Sequence, residues 1–254
     1  MSSVWVCVPS KRPPAEVEKW AQAWWDMGYM IALWRDYGES ADLWSSIMDA
    51  GDICLEMYVY PGYARATNRV IAEALSCGAR WCVIGGDDVW PDTTKRADEI
   101  ARECEQWYGM LTREVDFPGD FPGPTFGVMQ PTGDQWGDKQ GPYIERVAGS
   151  AWIGREFALR AYGGNGPLWP EYQHMYADEE LQLVAQKLGV FWQRPDLTQI
   201  HQHWGRPREG ETVGLSERMP DFLKEANSGA HWRKYRAIFE ARKAAGFPGH
   251  EVKA

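Results

Sequence analysis

The sequence predicts an α/β fold: a mostly parallel central sheet flanked by helices, with a helical extension at the C-terminus. Three observations predict it. Short apolar, β-branched runs alternate with segments whose apolar residues recur at helical spacing from Val4 to Trp107. Glycines stand where the helices should stop, at Gly28, Gly78 and Gly189. The chain has 254 residues, 44% hydrophobic and 25% charged, enough to bury one large core. Strands that alternate with helices lie parallel, because each helix returns the chain across the sheet.

The elements follow in order. Val4 to Val8 is a buried strand closed by Pro9, and Pro13-Pro14 opens a helix that runs to Met27 with Val17, Trp20, Ala21 and Trp24 on one side. Met30 to Trp34 is a second strand, ending at Arg35-Asp36. Ala41 to Ala50 reads as a short helix and Ile53 to Met57 as a third strand. Arg65 to Cys77 is a helix, Trp81 to Ile84 a fourth strand, and Thr93 to Trp107 a further helix. Residues 116–142, rich in Gly, Pro and Asp, read as a loop or lid containing one strand, Phe126 to Gln130. Tyr143 to Val147 could be another strand. Gly149-Ser150-Ala151-Trp152 reads as a loop, Arg155 to Ala161 as a short helix and Gly163 to Pro167 as a turn. Asp178 to Leu188 is a helix, Val190 to Trp192 a last strand, and two helices close the chain around 217–226 and 231–245. The division expected is a catalytic unit over 1–204 and a helical extension over 205–254 packed on it.

Composition narrows the function. No apolar run reaches the roughly 18 residues a membrane helix needs, and the N-terminus has no basic, apolar leader. Five cysteines without CxxC spacing read as reduced core thiols of a cytoplasmic protein. The net charge of −9 argues against a generally nucleic-acid-coating surface, yet residues 201–254 hold 10 Lys+Arg against 7 Asp+Glu. There is no GxGxxG after a strand, no GxxxxGK[ST] and no GxSxG, which counts against dehydrogenases, P-loop kinases and esterases.

In a parallel sheet the ligand sits at the carboxyl ends of the strands. That rule selects Pro9 to Arg12, Arg35 to Glu39 and Gly85 to Asp92. Asp87 and Asp88, adjacent after a buried strand, repel each other and lose solvation unless something positive binds there. A hard divalent cation, Mg²⁺ or Mn²⁺, with a diphosphate supplies that charge; the alternative is a helix cap at Pro91. His201 and His203 share one face of an extended segment and suit a metal, or are hydrogen-bonded loop histidines. Asp178 and Glu179 open a helix, as favourable N-terminal charge or with Asp178 as a general base. Arg65 and Asn68 lie on the rim of the Asp pair, or on a solvated helix start.

The order of these parts resembles the nucleotide-sugar-binding GT-A fold of glycosyltransferases over about residues 4–204. The motifs are Pro9-Ser10-Lys11-Arg12, Asp36, Arg65 and Asn68, Gly86-Asp87-Asp88, Gly149-Ser150-Ala151 and Asp178-Glu179-Glu180-Leu181. The resemblance implies a UDP-sugar donor bound by Pro9, Ser10, Arg12, Asp36, Arg65, Asn68 and Asp87. It implies a Mn or Mg ion on Asp88 with His201 or His203, and Asp178 as the base of an inverting transfer. Gly149, Ser150, Trp152 and Glu179 fall where an acceptor would bind. The family's Asp-x-Asp places an aspartate where this chain has Gly86, so the ribose contact is left unassigned. Compact size and many tryptophans are similar to small bacteriophage glycosyltransferases, some of which modify hydroxymethylated pyrimidines in DNA. That implies a DNA acceptor met by Arg206, Arg208, Arg218, Arg233, Lys234 and Arg236. A glycosyltransferase with a protein or glycan acceptor, a nucleotidyltransferase and a non-enzymatic carbohydrate-binding module are the competing readings.

Overall fold

A computed structural model of the chain describes residues 3–36, 52–114, 123–134, 148–203, 219 and 221–250. The expected helix at 41–50, the expected strand at 143–147, most of the expected lid, and Arg206, Arg208 and Arg218 lie outside the described residues.

Strand β1 (Val4–Pro9) pairs in parallel with β2 (Met30–Asp36) on one side and β4 (Trp81–Val83) on the other. Val4, Trp5, Val6, Cys7 and Val8 are all at most 3% exposed. A strand covered on both faces needs apolar residues at every position, so its sequence is a continuous apolar run rather than an alternation. Strand β3 (Ile53–Met57) adds in parallel outside β2. The seven-stranded sheet has the order β3-β2-β1-β4-β7-β6-β8, with β6 at Val128–Pro131, β7 at Trp152–Gly154 and β8 at Phe191–Arg194. Of these, β7 alone runs against its neighbours.

Gly149 to Ala151 lie in turn and irregular backbone, as the loop reading expects, but Trp152 belongs to the strand. Trp152 is fully buried in β7, and its indole donates to Gln199 Oε1 at 2.7 Å. Because β7 is antiparallel, the segment leading into it enters at the edge where the parallel strands end. Ile84 N accordingly donates to Ala151 O at 2.9 Å.

A second, two-stranded sheet joins β5 (Val89–Trp90) to β9 (Ile200–His201), antiparallel with Val89 opposite His201. The helix expected from Thr93 begins only at Ala97, as α3 (Ala97–Glu114) in the numbering below. Asp92 delays it. One carboxylate oxygen accepts from Thr94 N at 2.7 Å and Lys95 N at 3.1 Å, and the other accepts from Thr198 N at 2.6 Å. Burial raises the Asp92 carboxyl, but these hydrogen bonds outweigh it and hold it below its ordinary value.

Helix α1 (Pro14–Asp26) begins with proline, whose missing N–H costs nothing in the first turn. Its buried face is Val17, Trp20, Ala21 and Trp24. The indoles of Trp20 and Trp24 both donate to Val89 O, at 2.7 and 3.2 Å. Helix α2 (Tyr63–Ser76) covers β1, β2 and β3 and buries Ala66, Val70, Ile71 and Ala74. Each large aliphatic side chain buried this way stabilises the fold by about 1.5–3 kcal/mol. Trp5, Trp20, Trp24, Trp34, Trp81 and Trp152 are core residues, so much of the tryptophan content is structural.

Past β7 come α4 (Arg155–Arg160), a 3-10 turn at Ala161–Gly164, and α5 (Ala177–Lys187). Helices α6 (Asp221–Ala226) and α7 (Gly229–Ala244) close the described chain. Helix α7 packs on α5: Arg242 bonds Glu180, and Phe239 stacks on Tyr176 at 4.9 Å. Tyr176 has φ +72, a left-handed conformation that L side chains rarely adopt, and its ring is held between Phe239 and Trp232.

Candidate active site

The site forms where β1, β2 and β4 end. Asp87 and Asp88 are the central residues of a tight turn closed by Val89 N donating to Gly86 O at 3.1 Å. The expected alternative, a cap on a helix at Pro91, is corrected: β5 follows the turn, and Asp92 has the capping role. The turn cannot slide, because the α1 indoles hold Val89 O from beneath. Gly86 is required locally. A Cβ at that position would run into Asp88 Oδ1, so the aspartate that the family pattern places there has no room beside this Asp88.

Asp87 is tied to the end of β1. Ser10 Oγ donates to its Oδ2 at 2.6 Å and Arg12 Nε to its Oδ1 at 2.9 Å. Buried Arg35, at the end of β2, donates to Arg12 O at 2.9 Å and to Ser10 Oγ at 3.5 Å, fixing the loop behind them. Three expected residues, Ser10, Arg12 and Asp87, are thus brought together. The structure shows an arginine–carboxylate pair at the rim, with Pro9 at its base. Asp36 closes β2, and its side chain lies outside the described residues.

Asp88 turns the other way. The pairing of β5 with β9 sets His201 opposite Val89, and Gln202 N donates to Asp88 O at 2.7 Å. His201 Nε2 then lies 3.4 Å from Asp88 Oδ2. His201 N donates to Asp134 Oδ2 at 2.8 Å, which pins the strand to the loop after β6. The His203 ring is 5.1 Å from the His201 ring. Burial raises the Asp88 carboxyl, but His201 outweighs it, helped by Arg12 and His203, and brings it below the usual carboxylate range. Burial lowers His203 to about 4, so its imidazole is neutral at pH 7, the form that ligates metals.

Asp178, in the first turn of α5, completes the cluster. It is half-buried. Burial pushes its carboxyl above the ordinary value, against the hydrogen bond from Glu179 N at 3.0 Å and the imidazoles of His174 and His201. Asp88 and Asp178, both in the field of His201, are therefore shifted in opposite directions. Such a split separates a carboxylate that stays charged from one that takes up a proton.

Two members of the cluster were not expected from the sequence. His174 lies between Asp178 and Asp88, with burial lowering its imidazole against both carboxylates. Tyr63 feels the same two charges, and burial followed by Asp178 raises its phenol. The signal available was slight: His174 stands four residues before Asp178. The αL turn at Tyr176 and the close approach of Gln173 O to Tyr63 N, 2.6 Å, bring it in.

Several expected contacts have structural partners instead. Asn68 donates to Leu168 O at 2.7 Å and Asn165 O at 3.0 Å and accepts from Leu168 N at 3.1 Å. As a donor-sugar contact it is corrected: both ends of its amide staple the 165–168 turn. Arg65 Nε donates to Pro170 O at 2.9 Å. Ser150, buried, exchanges hydrogen bonds with Gln130, and its carbonyl accepts from Gln199. With Trp152 it belongs to the packing behind the edge, which corrects both as acceptor contacts. Gly149 lies at the edge itself, its carbonyl facing Gly85. Glu179 is half-buried beside Asp178.

The donor set Asp88, His201 and His203 suits a divalent ion in its chemistry, one carboxylate and imidazoles. In its arrangement, His201 contacts Asp88 directly, and among the described residues no three His, Cys, Asp or Glu side chains stand as a ligating group. Among the described residues no helix is long and apolar enough to cross a membrane. The chain matches no protein-family model and no curated protein.

Proposed function

We propose that this chain is a glycosyltransferase of GT-A type that moves a sugar from a nucleotide-sugar donor to an acceptor hydroxyl. The observation that carries the reading is the opposed pair of carboxylates, Asp88 and Asp178, at the carboxyl edge of the sheet. Asp88 stays ionised, and Asp178 is a stronger base than an ordinary aspartate.

Asp178 accepts the proton of the acceptor hydroxyl. The oxygen's electron pair forms a bond to the anomeric carbon, and the bond from that carbon to the diphosphate breaks with its electrons leaving on the diphosphate. The configuration inverts. Arg12, held by Asp87 through Nε and by Glu16 through Nη1, keeps Nη2 for a diphosphate at that rim, and Arg35 holds the loop behind it. Asp88 with His201 and His203 would hold a manganese or magnesium ion once the Asp88–His201 contact opens, and His203 is already neutral. Such an ion, when bound, supplies Lewis acidity to the leaving diphosphate.

Arg233, Lys234 and Arg236 are exposed on α7, the helix packed on the one that carries Asp178. They support an acceptor with phosphates, a 5-hydroxymethylpyrimidine in DNA. The test incubates the protein with nucleotide sugars, Mn²⁺ and hydroxymethylcytosine DNA and weighs the nucleosides by mass spectrometry. A gain of one hexose is expected. Calorimetry accompanies it: nucleotide-sugar binding that ignores Mn²⁺ and is unchanged in Asp88→Ala would overturn the reading.

A further inference from the structure

A second group of aromatic and charged side chains lies away from the carboxylate cluster, where α3 passes the edge strand β8. Trp107 stacks on Trp192 with ring centroids 4.7 Å apart and planes only 10° from parallel. Tyr108 meets Trp192 edge-on at 6.4 Å. The Arg194 guanidinium is 4.6 Å from the centroid of Trp192, and with Trp107 on one face it takes the other. The stack Arg194–Trp192–Trp107 thus ends on an indole that is 39% exposed, beside Met110, 57% exposed. These side chains line a cleft of about 300 Å³.

The polar wall of the cleft is built and held. Arg194 is 6% exposed, and its Nε and Nη2 bond Asp196 at 2.8 and 2.6 Å. Nη2 also bonds Glu103 at 2.6 Å, and Glu103 accepts from Lys95 Nζ at 2.6 Å. The remaining nitrogen of Arg194, Nη1, is buried with no hydrogen-bond partner. Nη1 is closed off from the cleft, so Arg194 holds the wall and backs the indoles rather than meeting a ligand.

The charge balance selects the ligand. Two cations, Lys95 and Arg194, face two carboxylates, Glu103 and Asp196, and all four are engaged with one another. No net positive charge is left for a phosphate or a carboxylate. What the cleft offers is a flat indole face, a flexible thioether and the amide of Gln106. That combination fits a ring with an apolar C–H face and neutral hydroxyls around it.

We infer that the Trp107 cleft is a binding site for a neutral pyranose, one or two sugar rings of a glycan, separate from the candidate active site and independent of the reaction assigned to it. Trp107 stacks on the C–H face of the ring, and Gln106 meets its hydroxyls.

The test uses the full chain without nucleotide sugar or added metal, on an array of immobilised glycans spanning neutral hexoses, pentoses, N-acetylhexosamines and sialylated or sulfated sugars. At least one neutral class is expected to retain the protein. Trp107→Ala should weaken that binding by about 10-fold or more, while Trp107→Tyr keeps most of it. Trp107→Ala gives up the stack on Trp192 and should melt a few degrees lower, while Trp107→Tyr keeps a ring there and should melt close to the wild type. Gln106→Ala, on the open face of α3, gives a second reading that does not depend on packing. Asp88→Ala should bind the array as the wild type does, which separates this site from the proposed transfer. Retention by no neutral glycan, retention only by acidic ones, equal binding by Trp107→Ala, or displacement by free uridine in place of methyl glycosides would each overturn the inference.

Discussion

Two carboxylates on α5, Asp178 and Glu180, stand two residues apart and have opposite circumstances. Glu180 is fully buried and satisfied: it accepts from Tyr162 Oη at 2.6 Å, Tyr172 Oη at 2.7 Å, and Arg242 Nε and Nη2 at 2.9 and 2.6 Å. Arg242 itself lies 3.6 Å over the Trp169 ring. Asp178 has only backbone N–H donors, that of Glu179 and its own, with the electrostatic help of two histidines, and burial still raises its carboxyl. A carboxylate that is shielded and fully hydrogen-bonded serves packing. A residue shielded and left short of partners exchanges protons, and serves chemistry. The helix needs the first kind of carboxylate to hold the second in place.

The comparison breaks most sharply at Asp178→Asn. Under the proposed transfer, turnover should fall by about 10²- to 10⁴-fold, while the melting temperature rises, because the amide keeps the Glu179 hydrogen bond and carries no buried charge. A drop in melting temperature would show that Asp178 is structural like its neighbour. Arg242→Ala should do the reverse. It strands Glu180 as a buried charge and should cost about 3–5 kcal/mol in urea unfolding, so a loss under 1 kcal/mol would mean the pair contributes no more than a surface contact. Gly86→Ala places a Cβ against Asp88 Oδ1 and should weaken Mn²⁺ binding by about 10-fold in calorimetry, with Asp87 and its Arg12 pair intact. Trp20→Phe removes one of two donors to Val89 O and should cost about 1 kcal/mol, read in the same unfolding assay.

The smallest effect is a pH trend. A carboxyl raised in the folded state binds a proton more tightly there than in the unfolded chain. Its stabilising contribution is present below the ordinary value of 3.8 and is lost as pH rises through the folded value. The stability difference between Asp178→Asn and the wild type should therefore widen from pH 3 upward. A difference that stays flat would remove the raised carboxyl from the account.

Much of this was legible in the sequence, and what was not has physical causes. Strands β1 and β2 and helices α1, α2 and α5 announce themselves because burial on one face, or on both, dictates residue type at every turn. Ser10, Arg12, Asp87 and Asp88 follow from the rule that sites lie at strand ends, and His201 from its spacing with His203. Strands β5, β7 and β9 have only two or three residues each, too few for a period to show. The start of α3 was misplaced because Asp92 caps a turn rather than a helix. Asn68 and Trp152 were misread for one reason: polar and aromatic groups near a site look alike whether they face the ligand or hold the wall behind it. His174 depends on the αL turn at Tyr176, where a tyrosine adopts a conformation that a sequence would assign to glycine.

The ribbon of β5 and β9 joins Asp88 to His201 across nearly half of the chain. Closing so long a loop is entropically slow, and no local contact substitutes for it. During synthesis, Asp88 waits without its histidine until β9 has left the ribosome and found β5. The growing chain therefore carries Asp87 with its Ser10 and Arg12 partners but Asp88 without its histidine for nearly half of its synthesis, and acquires the candidate site late. A cut anywhere between the two strands that lets them part would silence the site while leaving β1 to β4 folded.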